Sequence, residues 1–179
     1  MKKFIRGALV IGAVAALGLS GCSANPKTAL SVDGKSYSVA DVTRVSQQAG
    51  EMVGGPTDPA KIVGILAYSG AVEKVSKLLP QPATEEGVLK ELKTLQEQGK
   101  LRQTTKPLDK NTIVFWKTLL VLQAIQNPTV KAGPQFKHAL EHSRIVINPL
   151  YGKLDANGQI TAANPRNVIF PTPQMPAGQ

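Results

Sequence analysis

His138 and His142 stand four residues apart, the spacing that brings two imidazoles to one helix face and could bind zinc. The intervening order is His-Ala-Leu-Glu-His, with Glu141 beside the second histidine and not after the first, so the metalloprotease pattern is absent. There is no other histidine to complete a shell, and we expect no metal; imidazoles near a helix C-terminus are favourable there anyway. Glu85-Glu86 resembles a carboxylate pair, but neighbours on a helix diverge, and the pull of a helix N-terminus explains both. The chain has no Gly-x-Ser-x-Gly elbow and no Ser-x-x-Lys with a partner motif. Gly54-Gly55 lacks the Lys-Ser/Thr of a phosphate loop. We therefore expect a protein that is not an enzyme and uses no cofactor.

One thiol remains, and its neighbours decide its chemistry. Cys22 follows Leu19-Ser20-Gly21, at the end of the uncharged stretch Gly7 to Leu19, itself behind the cations Lys2, Lys3 and Arg6. That apolar stretch is too short to span a bilayer, which takes about 20 residues, and fits a cleaved signal. The segment resembles a bacterial lipobox. It implies removal of residues 1–21 as a signal peptide, a diacylglyceryl thioether on Cys22 and, in many bacteria, a further chain such as palmitate on its amino group. Each buried methylene contributes about 0.8 kcal/mol, and two chains suffice for stable anchoring. The expected location is the cell membrane, lipid-anchored on the extracytoplasmic side (periplasm or cell surface), with the bilayer as a partner through Cys22.

Of the net charge of +9, Lys2, Lys3 and Arg6 supply three, leaving +6 on the remaining 158 or so residues. That length supports one domain with a real core. Lysines and arginines are scattered among Glu and Asp without a basic block or aromatic platform, so no nucleic acid is expected as partner. Once Cys22 is acylated no cysteine is left for a disulfide.

Residues 22–28 read as a short lipidated tether, holding the domain within roughly 20 Å of the bilayer. Ala29–Val32 reads as a strand, and Asp33-Gly34 as a tight turn into Lys35-Ser36-Tyr37. Ser38 and Asp41 are spaced for a capping box, and Val39, Val42, Val45, Ala49 and Met52 continue at helical spacing up to Gly54-Gly55-Pro56. Asp58-Pro59 opens a second helix, expected to run to Leu79 before Pro80. A third follows Thr84, and a fourth runs from about Asp109 to Asn127, apolar on most sides and expected at the centre. A fifth, shorter one covers Gln135 to His142. Arg144–Asn148 is β-branched and reads as a strand closed by Pro149. Residues 153–179, rich in Pro, Gly and Asn, read as an extended tail in which Val168-Ile169-Phe170 could dock. The expected fold is mainly α, four to five helices with a small strand pair made by the two ends of a domain spanning 29–152. Two lone strands leave their backbone groups unpaired unless they meet.

Val32-Asp33-Gly34, followed by Tyr37-Ser38-Val39-Ala40-Asp41-Val42, resembles the opening of the N-terminal region of SurA-type periplasmic chaperones. The closing Ile147-Asn148-Pro149-Leu150-Tyr151-Gly152 resembles the "V-N-P-R-Y-G" segment that ends such regions in lipoproteins of actinomycete-like bacteria, with Leu150 in place of the usual Arg. The resemblance spans about residues 28–152 and implies an ATP-independent module binding unfolded or extended segments of exported proteins. Longer relatives carry a parvulin-type prolyl isomerase domain; the 27 residues after Gly152 are too few for one, and no isomerase activity is expected.

A holdase needs adaptable apolar surface. The candidate client-binding residues are Met52 with its neighbour Val53, Tyr68, Phe115 and Trp116, although filling the core is the more common use of each such side chain. The alternatives are a structural or adaptor envelope lipoprotein binding one folded partner, and a carrier of lipid or a small ligand.

Overall fold

The computed structural model describes residues 26–79, 83–127, 129–155 and 160–161. Strands β1 (Thr28–Val32) and β2 (Lys35–Ser38) form an antiparallel hairpin with Val32 opposite Lys35 and Leu30 opposite Tyr37. Asp33 (φ 48) and Gly34 (φ 86) take the left-handed conformations that a two-residue hairpin turn requires. Strand β3 (Ile145–Ile147) lies antiparallel on the other side of β1, with Ile147 opposite Leu30. The two ends of the domain do meet. Because the turn adds β2, β1 becomes the central strand of three in the order β2-β1-β3.

Helix α1 (Val39–Val53) starts at a reciprocal capping box: the Ser38 hydroxyl accepts from Asp41 N–H at 3.0 Å, and the Asp41 carboxylate accepts from Ser38 N–H at 2.9 Å. It stops at Gly54, left-handed at φ 80. Helix α2 (Pro59–Ala67) is capped by Asp58, which accepts from Ala60 N–H at 2.8 Å. The long second helix expected from the sequence is broken at Tyr68; α3 (Ser69–Val75) follows, ending in a 3-10 turn at Ser76–Leu78. Ser69 and Gly70 are poor helix formers, so the break is cheap there. It also seats α3 against the hairpin. A Cβ on Gly70 would lie 2.8 Å from Asp33 Oδ2 and from Val32 Cγ1.

Helices α4 (Glu85–Glu97) and α5 (Lys110–Ile125) are capped by Thr84 and Asp109 as their sequences foretell. Helix α6 (Gly133–Glu141) starts two residues before the expected Gln135, with Pro134 in its first turn. The stretch expected to be an extended tail instead opens with a small ladder, β4 (Lys153–Leu154) against β5 (Ile160–Thr161). Val168-Ile169-Phe170 lies outside the described residues.

Helix α5 touches α1, α2, α3 and α4, the central place its apolar composition predicts. One core cluster joins β1, β2, α1, α2 and α5 through Leu30, Tyr37, Val45, Met52, Leu66 and Trp116. A second joins α3, the end of α5 and α6 through Val72, Val75, Val121 and Ala139. Burying each such aliphatic side chain contributes about 1.5–3 kcal/mol. Gln48 adds a polar link from α1 to the start of α5. Its Oε1 accepts from Thr112 Oγ1 (2.6 Å) and Asp109 N–H (2.9 Å), and its Nε2 donates to the Pro107 carbonyl (3.0 Å).

Candidate functional site

Of the candidate client-binding residues, three are enclosed. Met52 is fully buried, and Phe115 and Trp116 are each 5 % exposed, packed edge to face with centroids 5.4 Å apart. Adjacent residues on a helix point in different directions. Helix α5 is covered on so many sides that both directions lead into the core. Trp116 Nε1 is buried with no hydrogen-bond partner among the described residues. Tyr68 is half-buried at the α2–α3 break, its ring tilted against Phe136 at 6.2 Å. Burial, reinforced by the Asp155 carboxylate, pushes the Tyr68 hydroxyl pKa up. Val53 alone of this set is open, beside the sealed Met52. These five residues do not converge on one surface.

Cys22 lies outside the described residues. Among the described residues no helix is long and apolar enough to cross a membrane. The His138 and His142 rings stack with centroids 4.3 Å apart, and His142 Nδ1 lies 2.8 Å from the His138 carbonyl oxygen. No three metal-ligating side chains gather anywhere among the described residues.

What the fold does assemble is a half-open groove of about 530 Å³ beneath the hairpin. Its floor is apolar: Val32 and Tyr37 from the sheet, Val72 from α3, and Ile113 and Val114 from α5. The Tyr37 hydroxyl and Ser69 Oγ, 3.1 Å apart, tie the strand to the head of α3. Four lysines stand on the lining, Lys35, Lys74, Lys110 and Lys117, with Asp33, Glu73 and Glu85.

Two of those cations are neutralised. Lys74 Nζ donates to Asp33 Oδ2 at 3.0 Å and Lys117 Nζ to Glu73 Oε2 at 2.7 Å. The Lys117 side chain is only 17 % exposed, so its stem belongs to the wall while its charge stays paired. Lys35 sits 4.9 Å above the Tyr37 ring centroid, and neither it nor Lys110 has an ion pair among the described residues. Asp33 is the electrostatic joint of the groove. Its pKa is lowered chiefly by the Lys74 hydrogen bond, then by the Arg144 backbone N–H (2.7 Å), the Lys74 charge and Ser143, against the opposing effect of burial. The arrangement offers apolar contact and cationic edges.

Comparison with protein-family models, with curated proteins and with solved structures finds no match for this chain.

The groove was only half legible beforehand. Lys110, Ile113, Val114 and Lys117 fall at three- and four-residue spacing and mark one face of α5. Nothing in the sequence says that β2, more than 70 positions earlier, faces them.

Proposed function

We propose that this chain is a lipid-anchored, SurA N-terminal-like domain that binds unfolded or extended segments of exported proteins, without ATP and without catalysis. Acylated Cys22 would confine it to the extracytoplasmic membrane surface, where emerging polypeptides are most concentrated. The observation that carries the reading is the groove: an apolar floor about 530 Å³ in volume, half-open and rimmed by charge, suits reversible capture of apolar side chains. The joining of the two motif-bearing ends through β1 and β3 supports the likeness in fold.

Several unrelated unfolded proteins diluted into buffer with the purified full-length protein test the reading. Slower aggregation of most of them is expected, with a larger effect from the native sequence than from Val114→Glu, which places a carboxylate on the floor. Protection of none, together with stoichiometric capture of one folded envelope protein, would give the adaptor reading instead. A lipid retained in native mass spectra would give the carrier.

A further inference from the structure

The hydrogen-bond phase of the sheet fixes which main-chain groups face outward. Asp33 N–H donates to the Arg144 carbonyl and Asn148 N–H to the Ala29 carbonyl, both at 2.9 Å. The odd-numbered residues of β1 therefore bond to β3. Alternation along the strand turns Leu30 and Val32 toward β2, where they meet Tyr37 and Lys35. Lys35 and Tyr37 thus aim their N–H and C=O groups at β1, and Ser36 between them aims both of its own away from the sheet. Ser36 is exposed, and those two groups have no partner among the described residues. The next outward donor, Ser38 N–H, is already held by Asp41. At Gly34 a side chain would meet open space.

This edge borders the groove through Lys35 and Tyr37. A lipid or small apolar ligand would use the floor and leave the Ser36 pair idle, whereas an extended polypeptide uses both together. Charge narrows the occupant further. Among the described residues Lys35 and Lys110 have no carboxylate partner, and Glu85 is the acid on the lining that no lysine neutralises. A second copy of this chain would bring the same cations to the same place. Resting on the binding role above, we infer that β2 takes an extended segment of an exported polypeptide as an added strand paired to Ser36. Its apolar side chains lie on Ile113 and Val114, and flanking carboxylates sit beside Lys35 and Lys110.

Ser36→Pro deletes the outward donor while the ladder to β1, formed by Lys35 and Tyr37, is left in place; proline is tolerated at such edge positions. Ser36→Ala keeps the donor. The probe is a short peptide alternating Val or Phe with Thr and ending in Asp on both sides, titrated into the purified full-length protein. Companion peptides carry Lys at the ends, or an N-methylated central residue. Wild type and Ser36→Ala are expected to bind the probe equally and Ser36→Pro about tenfold more weakly. Both companions should bind more weakly than the probe, and saturating probe should slow amide exchange at Ser36. Equal binding by a natively folded Ser36→Pro overturns strand addition. So do unslowed Ser36 exchange, paired copies in sedimentation that the probe does not separate, or no binding by wild type; should Ser36→Pro fail to fold, exchange in the wild type decides. Aggregation protection by both wild type and Ser36→Pro sinks strand addition alone, while protection by neither sinks the holdase reading itself.

Discussion

Asn148 Nδ2 donates to the carbonyl oxygen of Thr28 at 3.0 Å, tying together residues 120 positions apart. The same side chain accepts from Leu150 N–H at 3.1 Å through Oδ1, and the Tyr151 N–H closes on the Asn148 carbonyl at 2.9 Å. Asn148 is therefore both the last rung of the β1–β3 pairing and the start of the turn beyond it. Gly152 completes that turn at φ 132, a conformation that favours glycine. The Asn, Tyr and Gly of the closing motif thus have structural work to do in this chain. Leu150, at the position where Arg is usual in the motif, is exposed.

Asn148→Ala should destabilise the domain by about 1–3 kcal/mol, because the amide is nearly buried and its removal leaves the Thr28 carbonyl and Leu150 N–H unpaired. Urea titration should show a lower midpoint at unchanged slope. Asn148→Asp keeps the acceptor for Leu150 but sets a carboxylate against the Thr28 carbonyl, and should fall at least as far.

Gly70→Ala should cost about 1–3 kcal/mol through overpacking, offset in part by alanine's better helix propensity. The added Cβ would press on Val32 Cγ1 and the Asp33 carboxylate, neither free to withdraw: one is core and the other is held by Lys74 and Arg144. Gly55→Ala is the matched control. Nothing lies within 4 Å of its Cβ position, so thermal unfolding should move little or upward.

These contacts show where sequence reasoning stops. Caps and turns are local: Ser38 with Asp41, Asp58-Pro59, Thr84, Asp109 and the Asp33-Gly34 turn all announce themselves within a few residues, and all are present. The closure of the two ends comes from the need of lone strands for partners. The break at Tyr68 was not legible, because apolar spacing from Ile62 through Leu79 runs on as if through one helix. Ser69 and Gly70 make a break cheap there, but the approach of Gly70 to the hairpin, set by tertiary fit, is what places it. Met52, Tyr68, Phe115 and Trp116 stand out in the sequence by size. Size selects for burial equally well, and Met52, Phe115 and Trp116 went to the core while valines, Ile113, Tyr37 and lysines lined the groove.

Asp33 and Asp41 should set part of the acid limb of stability. Both are held below their ordinary pKa of 3.8, Asp33 mainly by Lys74 and Asp41 mainly by the Ser38 hydroxyl and N–H. A carboxyl with a depressed folded pKa gives stability that is present above its unfolded value and lost as pH falls through the folded one. The loss should therefore begin near pH 4 and deepen below it. Asp33→Asn should flatten that limb while lowering stability at neutral pH, where the Lys74 pair is removed. Urea midpoints measured across pH 2 to 7, roughly the range in which carboxylates titrate, read both effects. A parallel shift of the whole curve would mean that the charge of Asp33 contributes nothing.

The anchor is open to the most direct experiment. Acylation at Cys22 predicts that the chain recovered from membranes starts at Cys22 and carries the mass of a diacylglyceryl group, with or without a third acyl chain. Two chains of about sixteen carbons, at about 0.8 kcal/mol per buried methylene, exceed what any surface patch of scattered lysines can supply. Cys22→Ser should therefore move the protein out of the membrane fraction at every salt concentration. If it stays bound and high salt releases it, its basic surface is the attachment, and the thiol has some other use.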